Sequence, residues 1–323
     1  MVDKGPIFLA GVDRSGIGFL GELLEAHPNI AMSRRTNFWS YYLNRFGDLS
    51  QPQNFEHCLV EMMRNSRIQR LQPQPERLRH EFPQGEPAYS RLFALLEEHN
   101  MERLGKSRWG DKSLGSERYA DIILTAYPEA KMIHIIRDPR DRYASQFNHR
   151  GVGRGELGAG VALWLWSVRL AEGNKRKYGE RYKVVQYETL VREPESLLHE
   201  LCDFIGETYS PDMLMINRNN RLSEADLAPG GSLRAIWTTS IGRFHTDLSK
   251  QEIAFIQMCT HRKMLRYGYQ FHPVSLPGTA KLVFYLINCP VNLTRMFLWQ
   301  PWAGIKEVLG KTPSARRLVH SSS

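Results

Sequence analysis

The stretch PIFLAGVDRSGIGFLGELLEAHP, residues 6–28, determines which fold the rest of the chain can adopt. Its apolar run Ile7–Ala10 predicts a short buried strand, and the apolar residues that follow at helical spacing predict a helix. The loop between them contains three glycines, Gly11, Gly16 and Gly18. Such a turn presents several backbone N–H groups and the positive end of the helix dipole at one point. The stretch therefore predicts an anion site, although the same turn also occurs as a purely structural connection.

The residues of this loop narrow the class of anion. A Walker A loop has the form G-x-x-x-x-G-K-[ST], in which the lysine reaches the phosphates and the hydroxyl binds Mg²⁺. Gly11 and Gly16 have that spacing, but Ile17 and Gly18 stand in place of the lysine and the hydroxyl residue. The dinucleotide pattern G-x-G-x-x-G does not fit the three glycines either. A kinase or GTPase that binds Mg-NTP is thus disfavoured, and Arg14 is the cation within the loop.

The charge of the chain also favours an anionic partner. With 43 Lys and Arg residues against 34 Asp and Glu, the net charge is +9, which suits an anionic ligand, an acidic polymer or a membrane surface. The basic residues are spread along the sequence without the clustered run of a nucleic-acid-binding arm, so we expect no nucleic-acid partner. The hydrophobic fraction of 42% and the charged fraction of 24% are those of a globular protein.

The cysteines predict the redox setting. They are far apart in sequence and form no C-x-x-C pair: Cys58, Cys202, Cys259 and Cys289. We therefore expect neither a zinc site nor a disulfide framework, and no metal cofactor. Only a few residues precede the first predicted strand, so we expect no signal peptide and a cytoplasmic location.

A second informative stretch is MIHIIRDPRDRYAS, residues 132–145. Met132–Ile136 predicts a strand that ends at Arg137, and Asp138 followed by Pro139 predicts the N-terminus of a helix. Ser145 would then lie about two turns into that helix. Ligands of open α/β sheets bind at the carboxyl ends of the strands, which is where Arg137 is expected. The alternative is that the RDPRD segment forms surface ion pairs, which contribute little.

The remaining segments predict helices that alternate with strands. Residues 50–104 have a helical pattern with Pro- and Gln-rich breaks, and they predict a helical insertion after the first βα unit, where a substrate cap could sit. Later segments predict a helix over Val161–Tyr178, a strand around Val184–Tyr187 and a helix over Glu193–Ile205. Strands joined by helices of this length run mostly parallel. The predicted fold is a three-layer α/β fold, with a mostly parallel central sheet flanked by helices and a P-loop-like nucleotide-binding core.

The segment Asn217–Ser240 is polar and contains glycine, which predicts a long loop. Loops of this length either serve function or are disordered, and closure over a bound ligand is the functional interpretation. Gly242 and Arg243 follow the loop after Ile241, and Ser249 predicts the N-cap of a helix that extends to about Tyr267.

The chain divides into a predicted domain over residues 1–272 and a C-terminal extension over residues 273–323. Within the extension, Leu282–Thr294 is uncharged, but its 13 residues are fewer than the roughly 20 of a membrane span. Lys281 and Arg295 flank this run. We expect a helix docked on the domain, with a peripheral segment at a membrane surface as the alternative.

Together these motifs resemble the sulfotransferases that use 3′-phosphoadenosine 5′-phosphosulfate (PAPS), in particular their bacterial branch. The resemblance extends from about Pro6 to Tyr269. GVDRSGIG resembles the family's 5′-phosphosulfate loop, and IIRDPRDRYAS resembles its 3′-phosphate motif, in which an arginine and a serine eight residues later bind the phosphate. VVQYETL resembles the strand with an adenine-side tyrosine, and SIGRF resembles a late loop that reaches the nucleotide. The resemblance implies these nucleotide-binding residues: Arg14, Ser15, Gly16, Ile17, Gly18, Arg137, Ser145, Tyr187, Ser240 and Arg243.

The resemblance also implies the reaction. A sulfuryl group would pass from PAPS to a hydroxyl or amine of a carbohydrate, lipid or small metabolite, with release of 3′,5′-adenosine bisphosphate and without a metal. By analogy with phosphoryl transfer, catalysis would depend on positioning and on cations near the leaving group, with Arg14 in that role. Two alternatives remain: a related protein that binds an adenosine phosphate without catalysis, and a nucleotide kinase.

The chain departs from the family pattern at two points. Ile17 and Gly18 replace the usual pair of threonines, and Arg35 occupies the position where related bacterial enzymes often have a glutamate as general base. We expect Asp111, beside Lys112, to be the base instead, because a carboxylate next to a cation stays ionised near neutral pH. The histidines that could take this role are weaker candidates and are more often surface residues: His27 and His245. No pattern indicates the acceptor or the oligomeric state.

Overall fold

The fold is built around a five-stranded parallel sheet. The computed structural model describes residues 4–147, 156–215 and 240–309, with the backbone alone at residue 147 and over residues 300–309. The strands follow the order β2-β3-β1-β4-β5, and every neighbouring pair is parallel. Their bounds are β1 (Ile7–Ala10), β2 (Ile30–Arg34), β3 (Arg108–Lys112), β4 (Lys131–Ile136) and β5 (Tyr182–Gln186). The predicted α/β class with a mostly parallel sheet is confirmed.

Helices connect the strands and follow the last one. Those before β5 are α1 (Ile17–Glu25), α2 (Phe38–Tyr41), α3 (Pro52–Arg64), α4 (Ser66–Gln69), α5 (Pro75–Glu81), α6 (Tyr89–Arg103), α7 (Ala120–Ala126), α8 (Pro139–Phe147) and α9 (Leu157–Tyr178). Those after it are α10 (Tyr187–Arg192), α11 (Pro194–Ile205), α12 (Phe244–Asp247) and α13 (Lys250–Arg266). A C-terminal helix then has three consecutive segments: Gly278–Val283, the π-helical Phe284–Asn288, and Cys289–Leu309.

The central strand β1 is fully buried, and its side chains enter two cores on opposite faces of the sheet. Phe8 packs on one face with aromatic residues of α6 and β3, and its ring centroid lies 5.6 Å from that of Trp109. Ile7 and Leu9 pack on the other face with α1 and α11. The alternation follows from the two-residue period of a strand. It produces the three layers that the sequence predicts.

The sequence patterns miss two of the strands, β2 and β3. Strand β3 has the sequence RWGDK, yet all five residues are buried. Arg108 is tolerated there because its guanidinium donates to the carbonyl oxygens of Gly5 and Ile205 at 2.8 and 2.5 Å. These partners are distant in sequence, so no local pattern marks the segment as a strand.

The position of these strands corrects the predicted place of the helical insertion. Residues 50–104 connect β2 to β3 and do not directly follow the first βα unit. Their helices pack against the Phe8 face of the sheet. A role for this insertion as a substrate cap stays a prediction.

The C-terminal helix is longer than the sequence predicts. Over Gly278–Trp299, which is 22 residues, the helix is long and apolar enough to cross a membrane by length and composition. Only 17% of an apolar stretch of 18 residues within it is buried in the protein. The uncharged run of 13 residues is bounded by Lys281 and Arg295, whereas the helix continues beyond both of these charged residues. A π-helical turn that ends at Asn288, two residues before Pro290, accommodates a residue that lacks a backbone N–H.

The strand order places a crevice at the carboxyl end of β1. The chain leaves β1 towards β2 and β3 on one side, and then returns to β4 and β5 on the other. Such a reversal leaves the loops on either side directed apart, and open α/β sheets bind their ligands there.

Candidate functional site

The glycine-rich loop after β1 begins at this crevice. Three of its residues have a positive φ, Gly11 with 140°, Arg14 with 67° and Gly16 with 99°. Gly16 is the residue before α1, and a Cβ there would lie 2.2 Å from Cδ2 of Tyr187. Both the backbone angle and the contact therefore require glycine. The N-terminus of α1, with its positive dipole end, faces the carboxyl edge of the sheet.

Arg14 and Ser145 are in direct contact. The Nε atom of Arg14 donates to Oγ of Ser145 at 3.0 Å, and Nη1 of Arg137 donates to the carbonyl oxygen of Arg14 at 3.3 Å. The two predicted anion-binding motifs thus meet at one edge of the sheet. The reason is that β1 and β4 are neighbouring parallel strands, so the residues that follow them lie side by side.

Arg137 is buried at the centre of this cluster. Its guanidinium carbon lies 4.4 Å from the ring centroid of Tyr187, and its Nη2 donates to the carbonyl oxygen of Ser240 at 2.5 Å. The residue is 5% exposed, and its Nε has no hydrogen-bond partner among the described residues. A buried guanidinium with an unused donor suits an anionic ligand, because its planar fork matches phosphate oxygens.

A single carboxylate attaches the late loop to α8. Oδ2 of Asp141 accepts from the N–H of Gly242 at 2.7 Å, and Oδ1 accepts from the N–H of Phe244 at 3.0 Å. Burial raises the pKa of Asp141, although these two backbone donors oppose the rise. The attachment brings Ser240 and Arg243 to the cluster. Arg243 also pairs with Asp247 on α12, N to O 3.5 Å. The rest of the predicted loop, residues 217–239, lies outside the described residues, and its closure over a ligand stays a prediction.

The N-terminus of α8 forms as the sequence predicts. Oδ1 of Asp138 accepts from the N–H of Arg140 at 2.8 Å, and Pro139 is the first helical residue. Asp138 also pairs with the Arg140 guanidinium at 2.6 Å, and both residues are buried. The alternative of exposed surface ion pairs is therefore wrong for this segment. Nη1 of Arg140 also donates to Oε1 of Gln257 at 2.7 Å, so the buried pair joins the start of α8 to α13.

Positive charge is concentrated around the loop. Burial lowers the pKa of Arg14 against the raising effect of Asp13, and three further positive charges lower it as well, those of Arg137, Arg243 and Arg35. Burial also lowers the pKa of Arg142 to about 10. The Nε of Arg142, on α8, donates to the carbonyl oxygen of Asp13 at 3.1 Å and so holds the backbone of the loop. Cations that repel one another at a partly buried site favour an anion between them.

Asp111 and Lys112 occupy opposite faces of the sheet at the end of β3, because successive residues of a strand alternate. The stem of Lys112 packs on Gly21 of α1, where a Cβ would lie 2.6 Å from Lys112 Cδ. Oδ1 of Asp111 accepts from three hydroxyl groups, those of Ser33, Thr36 and Ser113. Its Oδ2 has no partner among the described residues. The two side chains therefore do not share a face of the sheet, and a catalytic role for Lys112 stays a prediction.

Burial dominates the ionisation of Asp111. It raises the pKa of this carboxyl from 3.8 to about 6, the three hydroxyls oppose the rise, and the charge of Lys112 has the smallest effect. The charge of Lys112 thus favours the ionised form, as predicted, but burial outweighs it and raises the pKa. The carboxyl nonetheless remains mostly ionised at neutral pH. Its role as general base stays a prediction.

A second buried carboxyl lies beside Asp111, and the sequence patterns do not identify it. Glu97 of α6 is completely buried. Burial and the charge of Asp111 raise its pKa well above the ordinary value, and the Ser33 hydroxyl opposes this rise. The protonated form of Glu97 is favoured for this reason, since two buried carboxylates in one region repel each other.

The other candidates for a general base lie elsewhere. His27 is buried beyond the amino end of β2, where Nε2 is 2.8 Å from a backbone oxygen and Nδ1 accepts from a backbone N–H at 3.1 Å. Both ring nitrogens are thus used structurally, at the edge opposite the site. His245 is exposed on α12. Arg35, at the position of the family's glutamate, pairs with Asp13 at 3.7 Å on the surface.

Two buried glutamates hold the loop and α8 in place, and no sequence pattern marks them. Oε2 of Glu117 accepts from the N–H of Gly11 at 3.1 Å. Oε1 of Glu188 accepts from the N–H of Asp138 at 2.9 Å, and burial raises its pKa to about 7. Asp141, in contrast, is visible in the sequence as an acid in the first turn of a helix.

Comparison with known proteins agrees with this geometry. The model of the sulfotransferase family matches residues 6–211, more than half of the chain. A search of curated proteins finds no match. Among solved structures, the sulfotransferase domain of the Synechococcus PCC 7002 olefin synthase has a TM-score of 0.55 at 18% identity, over 83% of this chain and 95% of its own. The sulfotransferase domain from the curacin biosynthetic pathway has a TM-score of 0.53 at 16% identity, over 83% of this chain and 99% of its own. These two structures support the fold, and the family match over most of the domain establishes that the chain belongs to the sulfotransferase family.

Proposed function

We propose that the protein transfers a sulfuryl group from PAPS to a hydroxyl or amine of a carbohydrate, lipid or small metabolite. The observation that carries this proposal is the cluster at the carboxyl edge of the sheet, in which Arg14 bonds Ser145 and Arg137 stacks on Tyr187. These residues come from three segments that resemble the family's nucleotide-binding motifs. Membership of the sulfotransferase family supports the same chemistry.

The unused polar atoms of the cluster fit a ligand with anionic groups at two points. Oγ of Ser15 and Nε of Arg137 are buried without hydrogen-bond partners among the described residues. Buried polar atoms of this kind need acceptors or donors, which phosphate and sulfate oxygens supply. Arg137 and Ser145 would hold the 3′-phosphate. The loop from Arg14 to Gly18 would hold the phosphosulfate.

The bond between Arg14 and Ser145 is compatible with this assignment. A serine hydroxyl accepts and donates at the same time, so Ser145 can accept from Arg14 while its O–H donates to a phosphate oxygen. The bond then fixes Arg14 between the two anionic ends of the nucleotide. Tyr187 and the loop of Ser240 and Arg243 would border the adenosine.

In the reaction, the acceptor oxygen or nitrogen attacks sulfur in line, and the bond between sulfur and the phosphate oxygen breaks. Negative charge develops on that oxygen as the bisphosphate leaves. Arg14 stabilises this charge electrostatically, since a guanidinium does not give up its proton readily. The cluster also excludes water from Arg137, which strengthens its contact with the ligand.

The acceptor must lose a proton in this step. We assign Asp111 as the proton acceptor, because its pKa of about 6 leaves it ionised at neutral pH and its Oδ2 is unused among the described residues. Asp111 is completely buried, and the Thr36 and Ser113 hydroxyls that bond it, 3.2 Å from each other, provide a route for the proton.

The test is calorimetric binding of 3′,5′-adenosine bisphosphate beside 5′-AMP and Mg-ATP. Tight binding of the bisphosphate without Mg²⁺, and much weaker binding of 5′-AMP, is expected from two anion-binding groups. A preference for Mg-ATP would support a nucleotide kinase and contradict the proposal. Tight bisphosphate binding without turnover of PAPS across hydroxyl and amine acceptors would leave an adenosine-phosphate-binding protein.

A further inference from the structure

The C-terminal helix contacts the rest of the protein along one face. A Cβ on Gly158, at the start of α9, would lie 2.0 Å from the carbonyl oxygen of Asn292, so the two backbones touch. The N–H of Gly158 also donates to Oδ1 of Asn292 at 3.2 Å. Asn288 donates to Oε1 of Gln251 on α13 at 2.6 Å. Asn288 and Asn292 therefore attach the helix to the domain.

The other side of the same helix is apolar and exposed. Eight large apolar side chains there are 42% to 78% exposed: Leu282, Val283, Tyr285, Leu286, Ile287, Val291, Phe297 and Leu298. We call these residues the apolar face. Single exposed apolar residues are ordinary, but so many on one helix mark an interaction surface.

The charged residues of the C-terminal helix itself have one sign from residue 278 to residue 305. No acidic residue occurs from residue 278 to residue 305, whereas Lys281 and Arg295 are both exposed on the helix. From residue 278 to the end, the sequence has six basic residues and one acidic residue, a net charge of +5 out of +9 for the chain. An apolar helix face with basic flanks suits a surface of anionic lipids.

We propose that the apolar face binds a membrane that contains anionic lipids, with the helix lying in the plane of the interface. The contacts of Asn288 and Asn292 with the domain favour this placement over a span. A spanning helix would be surrounded by lipid, and these amides would then lose their partners in a medium without water. With one face on the domain, the helix can bury only its other face in lipid.

A second copy of this chain is a weaker occupant of the apolar face. Two copies that met there would bring Lys281 and Arg295 of each close to the same residues of the other, and no acid on this part of the sequence would compensate for them. Like charges at an interface oppose association. Anionic headgroups would instead pair with these residues.

The experiment is co-sedimentation of the full chain with vesicles of phosphatidylcholine, with and without phosphatidylglycerol. The double variant Leu286→Glu with Phe297→Glu should bind at least about tenfold more weakly, because it places charge in the apolar layer. Leu265→Glu is the matched control, since Leu265 is 56% exposed on α13 outside the apolar face. It should bind like the unaltered chain.

A second pair of changes separates charge from apolar burial. Lys281→Gln with Arg295→Gln should weaken binding to anionic vesicles about 25-fold, since each cation near an anionic surface contributes about fivefold. It should change binding to neutral vesicles little. Thermal unfolding and bisphosphate binding should be unchanged in all variants, which keeps this inference separate from the proposed function.

Three results would overturn the proposal. The first is equal vesicle binding by the unaltered chain and the Leu286→Glu, Phe297→Glu variant. The second is a dimer in light scattering that this variant converts to a monomer, which would assign the apolar face to a second copy. The third is retention of the chain in membranes after alkaline carbonate extraction, which would indicate a span.

Discussion

Arg137→Ala is the substitution that tests the site most directly. In the structure, this guanidinium lies 4.4 Å from the Tyr187 ring, is 5% exposed and keeps Nε without a partner among the described residues. If it holds the 3′-phosphate, its removal deletes a charge-assisted hydrogen bond in a buried place. Such a contact contributes roughly 1.5 to 3 kcal/mol, so 3′,5′-adenosine bisphosphate should bind about 10- to 150-fold more weakly.

The assay compares two ligands, because the substitution also disturbs the protein. Arg137 donates to the backbone of Arg14 and of Ser240, and the loss of these bonds would affect any nucleotide. Calorimetry with 5′-AMP, which lacks the 3′-phosphate, measures this general effect. The proposed role requires a larger loss for the bisphosphate than for 5′-AMP. Arg70→Ala, an exposed arginine of the helical insertion, is the control and should leave both affinities unchanged.

An equal loss for the two ligands would refute the reasoning, because Arg137 would then support the loop without contacting the 3′-phosphate. Unchanged affinity for both would remove the second anion-binding group from the site altogether.

Three other substitutions test separate parts of the structure. Gly18→Thr should bind the bisphosphate or PAPS roughly 2- to 12-fold more tightly than Gly18→Val in calorimetry, because valine has the same shape without the hydroxyl. Equal affinities of the two variants would exclude a phosphosulfate contact at this position. Asp111→Asn should lower kcat/KM by about 100-fold or more without weakening bisphosphate binding. The rate of the unaltered protein should rise with pH through about 6, the pKa of this base. An unchanged rate in the variant would exclude Asp111 as the general base. Burial raises the pKa of Glu188 from 4.5 in the unfolded chain to about 7 in the folded protein. The folded protein therefore keeps this proton while the unfolded chain loses it, and the free energy of unfolding should fall by about 3 kcal/mol as the pH rises from 4.5 to 7. Glu188→Gln should remove most of this loss in urea unfolding, whereas Glu195→Gln, on an exposed residue, should unfold like the unaltered chain at every pH.

Local patterns predict the elements that local chemistry stabilises. The strand at Ile7–Ala10 is continuously apolar, and Asp138 followed by Pro139 marks the start of α8 within three residues. Ser249 predicts the start of α13, where its side chain and Glu252 form a capping box. Each of these depends on side chains that are close in sequence, and each agrees with the structure.

The parts that sequence patterns miss depend on partners far along the chain. Strand β3 buries Arg108 because a carbonyl group 97 residues away accepts from it. Glu117 bonds the N–H of Gly11, 106 residues away. No periodicity encodes such contacts. The raised pKa of Asp111 is missed for a related reason, since its burial depends on how α6 packs and its neighbour in sequence points to the other face.

The two departures from the family's phosphosulfate loop have different physical causes. Ile17 is 5% exposed and packs in the core with α1 and α11, so its side chain replaces a threonine hydroxyl with apolar burial. Apart from the adjacent residues and the backbone of its own helix, no atom of the described residues lies within 4 Å of the place where a Cβ of Gly18 would be, and its backbone is helical. The side chain of Ile17 is therefore part of the core, whereas Gly18 leaves space beside the N-terminus of α1. An acceptor or the nucleotide itself can approach the backbone closely at that space, which a threonine would partly fill. The loss of two hydroxyls thus does not argue against catalysis, because Arg14 and the helix N-terminus remain directed at the same point.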